Sequence, residues 1–516
     1  GADNVRSMSS DGGLDGSGVA IAIVDSGIYS SHTSFTDQQT GSSRIVVNLD
    51  FTGEGRTDDP YGHGTHVASA AAGNGMVSHG QYIGIAPRAK LVNLRVLNSQ
   101  GVGSVSTLLG ALNWLLSNAI TYNVRVVNLS LGMPAINSYK VDPLCVAVRK
   151  LVDRGIVVVA AAGNNGKDST GQKIYGQIHS PGNEPSAMTV GAVDTKGTDT
   201  RADDSIATFS SRGPTRSFST DLNGLRHFDN IIKPEISAPG NKTIFAESPD
   251  NYLLRQNPSL DAGVSGNINR KQMTLSGTSM ASPLVAGAAA LMFEANPTLT
   301  PNLIKTLLMY TAQQLPNFNL LEQGSGSLNI DGAVRLAKLV RTNLSSSTTL
   351  GSPLLTSSAP FPQTTIPLAI GNTTFYWSKG IVVGRTYATG TNLITEYQKV
   401  YANGVLLGDG VLIGDGVLIG DGVLIGDGVL LGDSILTSNG TTLGAGGFFC
   451  ATGVLLGDGV LLGDGVLLGD GVLIGDGVLI GDGVLIGDAT IRALVSGDQT
   501  ASMPSVPDDS SDYLGY

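Results

Sequence analysis

The sequence predicts an α/β protein built on a doubly wound, mostly parallel sheet, followed by a C-terminal all-β region of hexapeptide repeats. Three observations carry this expectation. Residues 18–340 alternate short apolar runs with stretches of helical spacing, the pattern of a parallel sheet covered on both faces. After Val340 the alternation stops, and residues 342–371 are rich in Ser, Thr and Pro without a sustained period. A six-residue unit, Gly-Val-Leu-(Leu or Ile)-Gly-Asp, then recurs five times in tandem at 404–433 and six times at 453–488.

The runs Val19–Val24, Ala89–Val96, Val124–Leu129 and Ile156–Ala160 are bounded by Gly or Asn and read as buried strands. Helical patterns lie between them, near His63–Ala72, Ser104–Ser117 and Asp142–Arg154. With 516 residues and 41% hydrophobic content the chain has material for two to four units. It divides into an α/β domain at 1–341, a surface linker at 342–371 and a short β-rich segment at 372–403 holding Phe375, Tyr376, Trp377 and Tyr397. The repeat region follows at 404–496, and an acidic tail with Asp508, Asp509 and Asp512 at 497–516.

Each repeat offers three β-formers and a Gly-Asp-Gly turn. The pattern resembles the hexapeptide code of left-handed parallel β-helices, in which six repeats would make two turns of three; stacked short strands are the simpler version. Strand alternation turns Leu418 and its ten counterparts away from Val417 and Ile419. That apolar row needs a cover: the first domain, a second copy, or another face of the same segment. Stacking would also bring Asp side chains to about 4.8 Å, favouring a bound cation or raised carboxyl pKa values.

Charge is just as segregated. The net charge is −11, and residues 404–488 hold 11 Asp and no other charged residue, leaving 31 acids against 31 Lys and Arg elsewhere. This balance argues against nucleic acid or an anionic membrane as the main partner. Apolar stretches such as Ala281–Phe293 are too short to span a bilayer. Cys145 and Cys450 match no metal-ligand or redox spacing; Cys145 falls in an apolar helical pattern and reads as core, with a disulfide between the two left open. The chain begins at Gly1 without a leader-like stretch, which reads as a processed start.

Four motifs carry chemistry. Ala22-Ile23-Val24-Asp25-Ser26-Gly27 ends a strand on Asp25, and Gly62-His63-Gly64-Thr65-His66 opens a helix on His63. Ala161-Ala162-Gly163-Asn164-Asn165-Gly166 puts Asn164 just past a strand. Ser276-Gly277-Thr278-Ser279-Met280-Ala281-Ser282-Pro283 puts Ser279 in the first turn of an apolar helix, with Pro283 expected where helices tolerate it. Alone, Asp25 and Asn164 would read as turn residues and His63 as packing. Strand ends and helix starts of a doubly wound sheet nevertheless converge on its carboxyl edge, where such folds build sites.

In this order the motifs resemble the subtilisin-like serine peptidases (subtilases), whose triad runs Asp, His, Ser along the chain. The likeness covers about Gly1–Val340 and includes Phe209-Ser210-Ser211-Arg212-Gly213-Pro214, Lys233–Gly240 and Ser186–Val193. It implies a subtilisin-like fold, a secreted endopeptidase and hydrolysis through an acyl-enzyme. A serine hydroxyl needs a base within reach; His63 suits that role, and Asp25 would fix its tautomer. Ser279 would offer its own N–H to the oxyanion, and the resemblance gives Asn164 the second donor.

The resemblance also places substrate. Gly101, Val102 and Gly103 on one side and Ser130, Leu131 and Gly132 on the other match the backbone segments that sandwich an extended peptide. Ala161, Ala162 and Gly163 with Leu131 would wall the pocket for the residue before the cleaved bond, with Asn165 at its rim; these types favour a large apolar residue there.

The chemistry needs no cofactor; structural calcium is a family habit with no loop here that maps to it. His66 follows His63 at a spacing that lacks the zincin pattern and is not read as a metal ligand. His32, His79, His179 and His227 carry no motif and read as structural or exposed. The long interval between Asn164 and Ser279 points to surface insertions within 215–272. The expected partners are protein or peptide substrates. The rival expectation is a self-assembling structural protein, a homo-oligomer or filament driven by the repeats, in which the peptidase serves maturation only.

Overall fold

The computed structural model describes residues 1–7, 13–345, 347–356, 374–398 and 401, apart from 199, 221, 223 and 225. It adds, as backbone alone, strands at Thr365–Pro367 and within 410–486. Seven parallel strands form the centre: β1 (Ala20–Asp25), β2 (Ile45–Asp50), β3 (Lys90–Arg95), β4 (Val124–Leu129), β5 (Val157–Ala161), β6 (Met188–Asp194) and β7 (Ile236–Pro239). Their order is β7-β6-β5-β4-β1-β3-β2, and the short strand Ser205–Ile206 pairs antiparallel with β6. The order reverses direction at β1, which leaves helices on both faces of the sheet.

The alternation within β1 shows why both faces are apolar. Ile21 and Ile23 join one buried cluster, and Ala20, Ala22 and Val24 join the other. Helices α1 (His63–Ala72) and α4 (Thr278–Ala295) cover the first face; α2 (Val105–Asn118) and α3 (Pro143–Asp153) cover the second. Ser104 closes a capping box with Thr107 at the start of α2, and Asp142 caps α3 ahead of Pro143. Cys145, within α3, is fully buried, and its thiol donates to Asn183 Oδ1 at 3.1 Å.

Pro283 differs from expectation. It lies inside α4 rather than in its first turn. It has no N–H for the carbonyl of Ser279, four residues back, and the Ser130 hydroxyl supplies the missing donor at 2.7 Å. The stretch 215–272 is also not all surface. The hairpin Phe218–Thr220 with Arg226–Phe228 is an outer feature, but β7 is a buried strand of the main sheet.

The segment expected to be a linker contributes to the core. Leu354 is fully buried, and Val340 bridges Leu355. Residues from 377–398, with Tyr401, pack on helices α5 (Pro301–Thr311) and α6 (Ile330–Leu339): Trp377, Ile381, Ile394 and Tyr401 belong to the same buried cluster as those helices. Thr300 donates to the Tyr401 carbonyl at 2.6 Å, tying the segment to the start of α5. Short, isolated apolar residues give no period, which is why composition alone reads 342–371 as surface.

In the repeats, Gly453–Leu456 pairs in parallel with Gly465–Leu468, and that strand with Gly477–Ile480. The intervening strands form a second parallel ladder, Gly459–Leu462 with Gly471–Ile474 and Gly483–Ile486. Each strand thus meets the one two hexapeptides onward, where the sequence reading expected three to a turn. The outward leucines and the Asp ladder concern side chains outside the described residues, as does the acidic tail.

Candidate active site

Four elements deliver the motif residues to the carboxyl edge of the sheet. Asp25 is the last residue of β1, His63 the first of α1, Asn164 follows β5, and Ser279 is second in α4. His63 Nδ1 and Asp25 Oδ1 are 2.7 Å apart, and each side chain is only 1% exposed. The Ser26 amide donates to the same carboxylate oxygen at 2.7 Å. His63 Nε2 has no partner among the described residues. The Ser279 hydroxyl donates instead to the Ser130 carbonyl at 3.1 Å.

Electrostatics favour a basic imidazole. Burial works against the imidazolium, but the Asp25 carboxylate and its hydrogen bond, with a further contribution from Asp59, raise the His63 pKa above the usual value. Asp59 lies fully buried beneath the start of α1. Its Oδ1 accepts from Ser26 Oγ at 2.7 Å and Gly62 N–H at 2.8 Å, and its Oδ2 from Thr65 N–H at 2.8 Å. Ser26 Oγ in turn accepts from Gly64 N–H at 2.9 Å. Burial pushes the Asp59 carboxyl up while these donors pull it back. The carboxylate therefore fixes the loop and helix start that aim His63.

The other end of the site is organised by side-chain amides and hydroxyls. Asn164 Oδ1 accepts from Thr278 N–H at 2.9 Å and from its hydroxyl at 3.0 Å. That anchors the carbonyl end, so the amide's Nδ2 donors point the other way. The Ser279 N–H sits at the second position of α4, where no intrahelical acceptor exists and the helix dipole favours negative charge. Ser130 Oγ, besides bonding the Ser279 carbonyl, lies 2.8 Å from Ser282 Oγ and accepts from Asn128 Nδ2 at 2.8 Å. The segment 130–132 is thereby clamped to the serine helix.

A cleft of about 430 Å³ opens beside Ser279. Gly101, Val102 and Gly103 line one side, and Ser130, Leu131, Gly132, Ala161, Gly163 and Asn164 are also in its wall. Ala162 is not: it is fully buried, with its N–H bonded to Val190 and its carbonyl to His179. Asn165 also lies outside the lining; its Oδ1 is 2.8 Å from a ring nitrogen of His179, which does line the cleft.

Asp59 and His179 are the two residues that sequence reading missed. An Asp four places before His63 at a helix start is a readable capping signal. For His179 no local pattern is readable: the pairing of Met133–Pro134 with His179–Ser180 and its N–H bond to Ala162 bring it to the cleft.

His66 and His32 are buried packing residues whose rings burial keeps neutral. His66 is pushed down to about 3, with Nε2 3.1 Å from the Thr243 carbonyl and its ring edge-on to Phe245. His32 falls to about 4 by burial, with Nε2 2.8 Å from the Lys271 carbonyl. Among the described residues no three His, Cys, Asp or Glu side chains gather into a metal-binding group, so no residue is assigned to calcium. No described helix is long and apolar enough to cross a membrane.

Comparison with known proteins matches residues 16–333 to the Subtilase family and residues 453–488 to the bacterial transferase hexapeptide repeat (six repeats). The serine protease AprX of Bacillus subtilis is 36% identical over 333 residues, covering 62% of this chain and 67% of that protein. Subtilisin DY of Bacillus licheniformis is 32% identical over 335 residues, covering 65% of this chain and 96% of that protein. A cold-adapted subtilisin-like serine proteinase of known structure is 28% identical, with a TM-score of 0.42, covering 61% of this chain and 88% of that one.

Proposed function

Because this chain belongs to the subtilase family and is a subtilisin-like serine endopeptidase, we propose that Asp25, His63 and Ser279 are its catalytic triad and Asn164 its oxyanion donor. The observation that carries the proposal is the buried His63–Asp25 pair, 2.7 Å apart, whose outer nitrogen has no partner among the described residues. A peptide bound between segments 101–103 and 130–132 in extended form pairs through its main chain, which leaves sequence tolerance broad. The Ser279 hydroxyl leaves the Ser130 carbonyl, turns to His63 Nε2 and gives up its proton as Oγ attacks the scissile carbonyl. Negative charge on that oxygen is met by Asn164 Nδ2 and the Ser279 N–H.

Collapse of this intermediate breaks the C–N bond; His63 returns the proton to the leaving amine, and the acyl-enzyme remains. Water, deprotonated by the same imidazole, then releases the acid and restores Ser279. Asp25 keeps the Nδ1 proton in place and stabilises the imidazolium at both stages. Leu131, Ala161 and Gly163 favour a large side chain before the cleaved bond. The family reading assigns extracellular action, and the two parallel ladders support an all-β coil appended to the peptidase.

The test is hydrolysis of denatured casein by the full chain beside its Ser279→Ala variant. The expected result is cleavage by the first and none above background by the second. Equal cleavage by both contradicts the assignment.

A further inference from the structure

His179 is the one titratable side chain in the cleft lining that the mechanism leaves unused, apart from the serine and threonine hydroxyls. Its main chain joins the two walls of the slot. The His179 N–H donates to the Ala162 carbonyl at 3.0 Å, and Met133 and Pro134, just past segment 130–132, pair with Ser180 and His179. Its ring lies between two glycines. A Cβ at Gly163 would sit 2.9 Å from the ring's Cγ and Cδ2, and φ there is +108°. A Cβ at Gly132 would sit 3.0 Å from His179 Cβ and 3.4 Å from Nδ1. Both walls lack side chains where the imidazole stands, so the ring itself closes the slot between them.

The ring's orientation fixes what it offers. Nε2 is 2.8 Å from Asn165 Oδ1, and an amide oxygen only accepts, so Nε2 carries the proton. Nδ1 of a neutral ring is then an acceptor. No described residue bonds Nδ1, and it is not among the sealed, unpartnered atoms, so it keeps accessible surface on a residue that lines the cleft, on the side of Gly132. No Asp, Glu, Lys or Arg lines this cleft to charge the ring, and burial lowers the His179 pKa further.

We infer that His179 is a specificity-determining residue that selects, before the scissile bond, a large apolar side chain ending in a hydrogen-bond donor: tyrosine ahead of phenylalanine. This rests on the peptidase reading given above. The aromatic ring of such a residue packs against Leu131 and Ala161, while its phenolic O–H donates to Nδ1. Phenylalanine fills the same space but strips water from Nδ1 without replacing it, and a buried acceptor left unpaired is penalised. A carboxylate end would meet the acceptor lone pair in an uncharged slot and is disfavoured twice.

The experiment compares kcat/KM of the full chain on tetrapeptide p-nitroanilides that differ only in Tyr, Phe or Leu before the bond. The wild type is expected to prefer Tyr to Phe by about 3–10-fold, the range of one net hydrogen bond. His179→Phe keeps a ring of similar size without the acceptor and should bring the ratio to about one. His179→Asn keeps an acceptor at nearly the same position and should hold the preference. Hydrolysis of Phe and Leu substrates by the wild type with no Tyr preference overturns the inference alone, whether or not the variants fold. An unchanged ratio in a folded His179→Phe overturns it too. Failure of the wild type to cleave all three, together with no covalent adduct on Ser279, overturns the peptidase reading beneath it.

Discussion

The corner at Asp25, His63 and Asp59 and the slot between segments 130–132 and 161–163 rest on different physics. The corner concentrates two buried carboxylates around an imidazole, and backbone amides of Ser26, Gly62 and Thr65 hold them in place. The slot contains no charged side chain; glycines, Leu131 and a neutral ring shape it. Basicity is thus set where strand and helix ends fix dipoles, and selectivity where short segments leave space. Substitutions at the corner should change kcat for every peptide alike. Substitutions in the slot should change which peptide is preferred.

The largest expected break in this comparison is Asp25→Asn. It removes the carboxylate that holds the Nδ1 proton, and kcat should fall by about 10⁴ with little change in the order of substrates. Asn164→Ala comes next, with kcat down about 10²–10³ and KM nearly unchanged, because its donor acts on charge that develops only after attack. Both are read from steady-state kinetics on a single peptide anilide.

A pH profile sharpens the corner further. His63 must be neutral to accept the serine proton, and its pKa is raised, so kcat/KM should climb with pH around a midpoint above about 6.5. Asp59→Asn removes a contributor to that rise, and the midpoint should move down, by less than in Asp25→Asn. Ser130→Ala should have the smallest effect on chemistry. It leaves the Ser279 carbonyl and Asn128 Nδ2 without their shared partner, at a cost of about 1–3 kcal/mol, readable as a lowered midpoint in urea.

Much of the corner was legible in the sequence. Asp25, His63, Asn164 and Ser279 sit where a buried strand or helix meets glycines, and four such motifs in order leave little freedom. The runs at Val124–Leu129 and Ile156–Ala160 became strands within a residue of their limits, since burial on both faces demands continuous apolar residues. The slot was less readable, because His179 reaches it through a two-residue pairing that no local pattern encodes. Pro283 was misplaced for a related reason: its tolerance depends on the hydroxyl of Ser130, far along the chain. Leu354 and Tyr401 enter the core singly, and single residues carry no period.

The central claim is that Ser279, His63 and Asp25 act as one nucleophilic unit. Its most direct test is labelling of the folded full chain with a fluorophosphonate, read by intact mass and peptide mapping, with Ser279→Ala alongside. The account predicts a single adduct on Ser279, absent from the alanine variant, with labelling slowed in Asp25→Asn. A folded protein that takes up no label, or takes it elsewhere, would contradict it.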